Sequence, residues 1–193
     1  MAVSDRIMKK VCILAILLAN ISSASAQSLA LKTNLLYLGT ASFNIGMEAK
    51  LGRRYSLALN GAYNPFSFAD NAKWKHFLIQ PELRYWFCES FYGSFLSIDA
   101  AVLRFNVGGI PLPYAPRTEK YRYDGIAYMG GMSYGYSRVL GKRLNLELLL
   151  GFNLGRAFYD RYQCPICGDI LDENAQADFL SPNISLSLIY MLK

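Results

Sequence analysis

Three groups of side chains in this sequence have the types and spacing to do chemistry. Cys164 and Cys167 are separated by two residues in Cys164-Pro165-Ile166-Cys167-Gly168, which suits a disulfide, a redox dithiol or half of a zinc site. Zinc would need two further ligands from Asp169, Asp172 or Glu173, because the one histidine, His76, belongs to a distant segment. A redox role would need an electron donor. In an oxidising compartment a local disulfide between Cys164 and Cys167 is the simplest outcome, so neither a metal nor any other cofactor is expected. His76, Ser67 and Asp70 put a base, a hydroxyl and an orienting carboxylate on or beside one loop, the set used in nucleophilic or lipid-acyl chemistry. A solvated polar rim has the same residue types, and no Gly-x-Ser-x-Gly motif strengthens the catalytic reading. The third group is Glu48, Lys50, Glu82, Arg84, Asp99 and Glu147. Its carboxylates could act as acid and base, but Lys50, Arg84 and Arg104 are counter-charges of the same or neighbouring parity, and a structural ion network is expected.

The elements that would position these groups are read from a period-two alternation. Phe43, Ile45, Met47, Ala49 and Leu51 alternate with Asn44, Gly46, Glu48 and Lys50. Tyr55, Leu57 and Leu59 come after a Gly52-Arg53 turn too short for anything but a hairpin. Leu144 to Phe152 and Ile184 to Tyr190 alternate as strictly, and weaker segments lie at 29–38, 75–87, 92–104 and 122–136. Together they predict an all-β fold, an eight-stranded antiparallel up-and-down transmembrane β-barrel. The connections at 52–53, 88–91 and 137–142 are short, whereas 64–74, 105–121 and 155–179 are long. In outer-membrane barrels short turns are periplasmic and longer loops extracellular, which puts both termini in the periplasm. Pro81 removes a ladder donor in mid-strand and predicts a bulge or an edge.

Polarity decides which surroundings each face meets. The apolar parity is continuous, with Tyr55 and Tyr63, and Phe77 and Tyr85, bracketing aliphatic residues as interfacial girdles would. The other parity carries the third group of charges, which a soluble core of this size would hardly tolerate. The alternative, a secreted soluble β-sandwich or lipocalin-like barrel, puts the same apolar parity inside. Arg6, Lys9 and Lys10 precede an apolar run from Val11 to Ala19 and then Ser22-Ser23-Ala24-Ser25-Ala26, the pattern of a signal peptide cleaved after Ala26. Residues 1–26 are therefore expected to be a signal peptide and 27–193 the outer-membrane β-barrel domain. The mature chain has 167 residues and a net charge of +4, too mild a balance for nucleic acid. The outer membrane, with its lipid as partner, is the expected location. Cys88, in a turn on the side opposite the other cysteines, is expected as a free thiol or one paired with another chain.

Leu31-Lys32-Thr33-Asn34-Leu35-Leu36-Tyr37, Tyr63-Asn64-Pro65-Phe66, Trp74-Lys75-His76, Gln80-Pro81-Glu82-Leu83-Arg84-Tyr85-Trp86 and Asn106-Val107-Gly108-Gly109-Ile110 resemble segments of domain-of-unknown-function family 3575 from Bacteroidetes-type bacteria. The resemblance covers the mature chain. It implies an outer-membrane barrel considered beside surface fimbrial components, and it supplies no catalytic residues. The function expected is non-enzymatic: a charge-plugged barrel with a structural, adhesive or surface-partner-binding role through its loops. A rim enzyme using His76 on lipid or envelope polymer, and a narrow channel, are the alternatives.

Overall fold

A computed structural model describes residues 29–67, 72–110, 118–163 and 168–192. The expected leader, Asp70, and the Cys164 and Cys167 pair lie outside the described residues. The strands are β1 (Leu29–Asn34), β2 (Phe43–Lys50), β3 (Tyr55–Asn64), β4 (Lys73–Trp86), β5 (Gly93–Gly108), β6 (Arg122–Val139), β7 (Leu144–Tyr162) and β8 (Ile170–Met191), with one short helix, α1 (Leu35–Gly39). Each strand pairs antiparallel with the next, and β8 pairs back onto β1, closing the sheet into a ring.

The alternation decides which way each side chain points, because successive residues of a strand leave opposite faces of the sheet. Leu57, Leu59, Ile79, Leu83, Ile98, Leu148, Leu150 and Ile184 are exposed on the outside. Glu48, Ser56, Arg84, Ser97, Glu147 and Ser187, on the other parity, are buried inside. An exterior of this kind inverts the usual soluble arrangement. Rings pair at both ends of the apolar zone: Tyr55 and Tyr85 are tilted with centroids 5.3 Å apart, and Tyr63 and Phe77 meet edge-on at 6.5 Å.

Several expected boundaries move. The first strand stops at Asn34 instead of continuing to 38, because the Asn34 side chain accepts a hydrogen bond from the Leu36 N–H at 3.0 Å and caps α1. The predicted long loop 155–179 is mostly strand: β7 runs on to Tyr162 and β8 begins at Ile170. Alanines alternate with polar residues there, Ala175 and Ala177 with Asn174, Gln176 and Asp178, so the period is present without the apolar contrast that marks it elsewhere. Pro81 does not bulge the sheet. It pairs with Leu59, and on its other side Ile79↔Val102 and Glu82↔Asp99 keep one register across the gap.

The strands lengthen around the ring, from 6 residues in β1 to 22 in β8. The short turns 51–54, 87–92 and 140–143 share one end, so the added length rises at the other. Five residues of β1 (Ala30–Asn34) pair with β8, and they reach it only between Ser187 and Met191. Among the described residues the second edge of β8 from Ile170 to Leu186 has no strand beside it. The ring is thus closed by strand pairing at the turn end, while α1 stands where β1 would have continued.

Close approach fixes at least one glycine. A Cβ at Gly135 would overlap the Phe95 ring. Gly135→Ala is expected to cost about 1–3 kcal/mol by forcing that ring aside, seen as a lower urea midpoint at unchanged slope for the refolded protein.

Candidate functional site

The interior is layered along the barrel axis. At the turn end is an apolar plug. Trp86 and Phe95, paired across β4 and β5, are buried with ring centroids 4.5 Å apart. Phe91 reaches in from the 87–92 turn to 6.1 Å from Trp86. Phe91 has φ of 70°, a costly conformation for a bulky residue. Its carbonyl is held there by Asn145 Nδ2 at 2.8 Å and Ser137 Oγ at 3.2 Å. Ala30, Leu149 and Ile189 complete the layer.

Above the plug lies an ion cluster centred on Arg84, which is 0 % exposed. All three guanidinium nitrogens donate: Nε and Nη2 to Glu82 at 2.9 and 3.0 Å, Nη1 and Nη2 to Glu147 at 2.7 and 3.0 Å, and Nη1 to Glu48 at 2.8 Å. Five donors in a fixed fork are what arginine offers and lysine does not. The guanidinium also sits over Phe95, 4.5 Å from the ring centre. Glu48 accepts a further bond from Ser56 Oγ at 2.6 Å, and Ser56 in turn accepts from Trp86 Nε1 at 2.8 Å, tying plug to cluster. Lys32 from β1 supplies the second cation, with Nζ 3.4 Å from Glu147 and 3.9 Å from Glu82.

The structure therefore brings Glu48, Glu82, Arg84 and Glu147 into direct contact. Asp99 sits one layer higher and accepts from Gln80 Nε2 at 2.8 Å and Asn183 Nδ2 at 3.4 Å. Lys50, expected in the same network, instead faces Glu89 at 3.7 Å near the turn rim, because its strand carries it below the cluster. Arg104 pairs with Asp124 and is exposed, since its parity is the outer one. Lys32, Ser56 and the plug aromatics were not singled out in the sequence. Parity alone could have marked Trp86 and Phe95, which share the polar face of their strands; nothing local marks Phe91.

Above the cluster the barrel opens into a cup of about 300 Å³. Gln80, Asn153 and Asn183 form its floor, and Trp74, His76, Leu78, Leu103, Phe105 and Met129 belong to its wall. His76 lies between Trp74 and Tyr37, with ring centroids 5.7 and 6.5 Å away. Ser67 is exposed outside the cup and forms a bridge with Lys73, and among the described residues no hydrogen bond joins it to His76. Cys88 is an exposed free thiol in the 87–92 turn. No group of three or more His, Cys, Asp and Glu among the described residues is placed to hold a metal ion.

A family model described as a protein of unknown function, DUF3575, matches residues 12–192. The chain belongs to the DUF3575 family. No curated protein and no solved structure matches it. For this DUF3575 protein the site must accordingly be read from its own geometry: a sealed lower half, a buried ion cluster, an open cup and a raised wall of β5 to β8.

Proposed function

We propose that this DUF3575 protein is an outer-membrane barrel, closed to ion flow, that holds an extended segment of a surface protein against the free edge of β8. The single observation that carries this reading is that edge. Among the described residues the strand is paired on one side only from Ile170 to Leu186, and an unpaired row of backbone N–H and C=O groups is a template for another strand. α1 stands against the lowest part of the same edge, and above it a bilayer would leave unpaired backbone groups unsatisfied, so a docked strand lowers a real cost. Lipid as the surrounding partner rests on the exposed aliphatic exterior and its two aromatic rows. In this orientation the short turns and both termini face the periplasm, and β5 to β8 rise outside the cell.

The membrane part of the reading is tested by Leu57→Arg. Leu57 is exposed on β3 between the aromatic rows, and an arginine there is expected to cost roughly 2–4 kcal/mol when the barrel refolds into lipid bilayers. Unchanged stability in bilayers would favour the soluble reading. The partner part is tested on intact cells with a photo-crosslinking residue in place of Gln176, exposed on the raised part of β8. A discrete protein adduct is expected there and none with the same group at Leu57; equal labelling at both positions would sink the idea. The plug and cluster predict silence in planar-bilayer conductance.

A further inference from the structure

We propose that the cup is a binding site for a small organic cation, an amine or quaternary ammonium compound, held between the aromatic wall and the electronegative floor. The first support is charge. Lys32 and Arg84 are the cations of the buried cluster, and they face Glu48, Glu82, Glu147 and, one layer above, Asp99. With these six groups ionised the cluster carries two negative charges without a counter-ion, and Asp99 meets the cup through Gln80 and Asn183, which line it and donate to its carboxylate. A buried excess of this kind attracts a positive ligand far more strongly than an exposed one would.

The second support, independent of charge, is the wall. Tyr37, Trp74, Phe105 and Phe179 all line the cavity. Aromatic faces attract a cation through the ring quadrupole, most strongly when water is displaced, and grouped rings are how proteins recognise quaternary ammonium groups. The cup's volume of about 300 Å³ falls at the lower end of small-molecule sites, roughly 300–1,000 Å³. That suits one compact headgroup and excludes a folded partner.

The test uses the full barrel refolded in a maltoside detergent, which carries no ammonium group. Choline is titrated against its neutral carbon isostere dimethylbutanol while tryptophan emission is monitored. The chain has two tryptophans, and Trp86 is sealed in the plug, so a change reports on Trp74. Choline is expected to give a saturable change, with the isostere binding about tenfold or more weakly. Asp99→Asn, in protein that keeps its folded mobility on unboiled gels, is expected to weaken choline by about tenfold and leave the isostere unaffected. The comparison of the two probes needs no variant, so it stands even if Asp99→Asn does not fold. Equal binding of both probes, or no saturable change with choline, would overturn the proposal and mean that protons neutralise the excess carboxylates.

Discussion

Arg84→Met is expected to be the most damaging single substitution in the barrel. The methionine keeps much of the arginine stem but removes five charge-assisted hydrogen bonds at once. Glu48, Glu82 and Glu147 would then share only Lys32, whose Nζ reaches Glu147 and Glu82. Glu48, 0 % exposed, would keep no direct ion pair and only the Ser56 hydroxyl. Removing one partner of a buried ion pair costs about 3–5 kcal/mol because the remaining charge stays desolvated. Here several carboxylates lose the partner together, so the loss is expected at or above the top of that range. The measurement is the urea midpoint of refolding in lipid, read as the fraction of protein with folded mobility on unboiled gels. A triple variant, Arg84→Met with Glu48→Gln and Glu147→Gln, is expected to recover a large part of the loss, since it removes the stranded charges along with their partner. If Arg84→Met alone leaves the midpoint unchanged, the cluster is not what holds the middle of the barrel together.

Trp86→Ala is the second large effect, for a different reason. Trp86 is fully buried and packs on Phe95 and Phe91. Truncating a buried tryptophan costs about 3–5 kcal/mol through lost contacts and the cavity left behind. The loss spreads upward, because the indole Nε1 also donates to Ser56 Oγ, which donates to Glu48. Trp86→Phe keeps most of the ring volume and removes only the hydrogen bond, so it is expected to lose about 0.5–1.5 kcal/mol for that bond, and somewhat more for imperfect packing. Equal stabilities for the alanine and phenylalanine variants would mean that the plug collapses without cost. Neither variant is expected to conduct ions, since the Arg84 cluster still closes the bore above the plug.

Local geometry is legible in the order of residues. A pleated strand turns alternate residues to opposite faces, so Leu57 and Leu59 against Ser56 and Ala58, or Leu148 and Leu150 against Glu147 and Leu149, reveal both the strand and its two sides without any knowledge of neighbours. Tight turns then force consecutive strands to pair, which yields eight antiparallel strands in sequence order. The same parity put Glu48, Glu82, Arg84 and Glu147 on one face before any contact was known.

Which residues meet on that face depends on how the ring closes. Closing the ring brings β1 against β8 and across from β4, and so delivers Lys32 to Glu147 and Glu82 over 115 and 50 positions of sequence. No local pattern records a distance of that kind. Phe91 lies in a turn, where period-two parity does not apply, and its position depends on Asn145 and Ser137 from strands that pair far along the chain. The strand ends escaped for a related reason. Where β7 and β8 rise beyond the apolar exterior, polar and apolar residues mix on each face, Phe158 with Asp160 on one and Tyr159 with Arg161 on the other, and alternation loses its contrast although the backbone continues to pair. The free edge of β8 and the cup beside it arise from one mismatch, a short β1 beside a long β8, and a length mismatch between elements at opposite ends of a chain becomes visible only when the ring is closed.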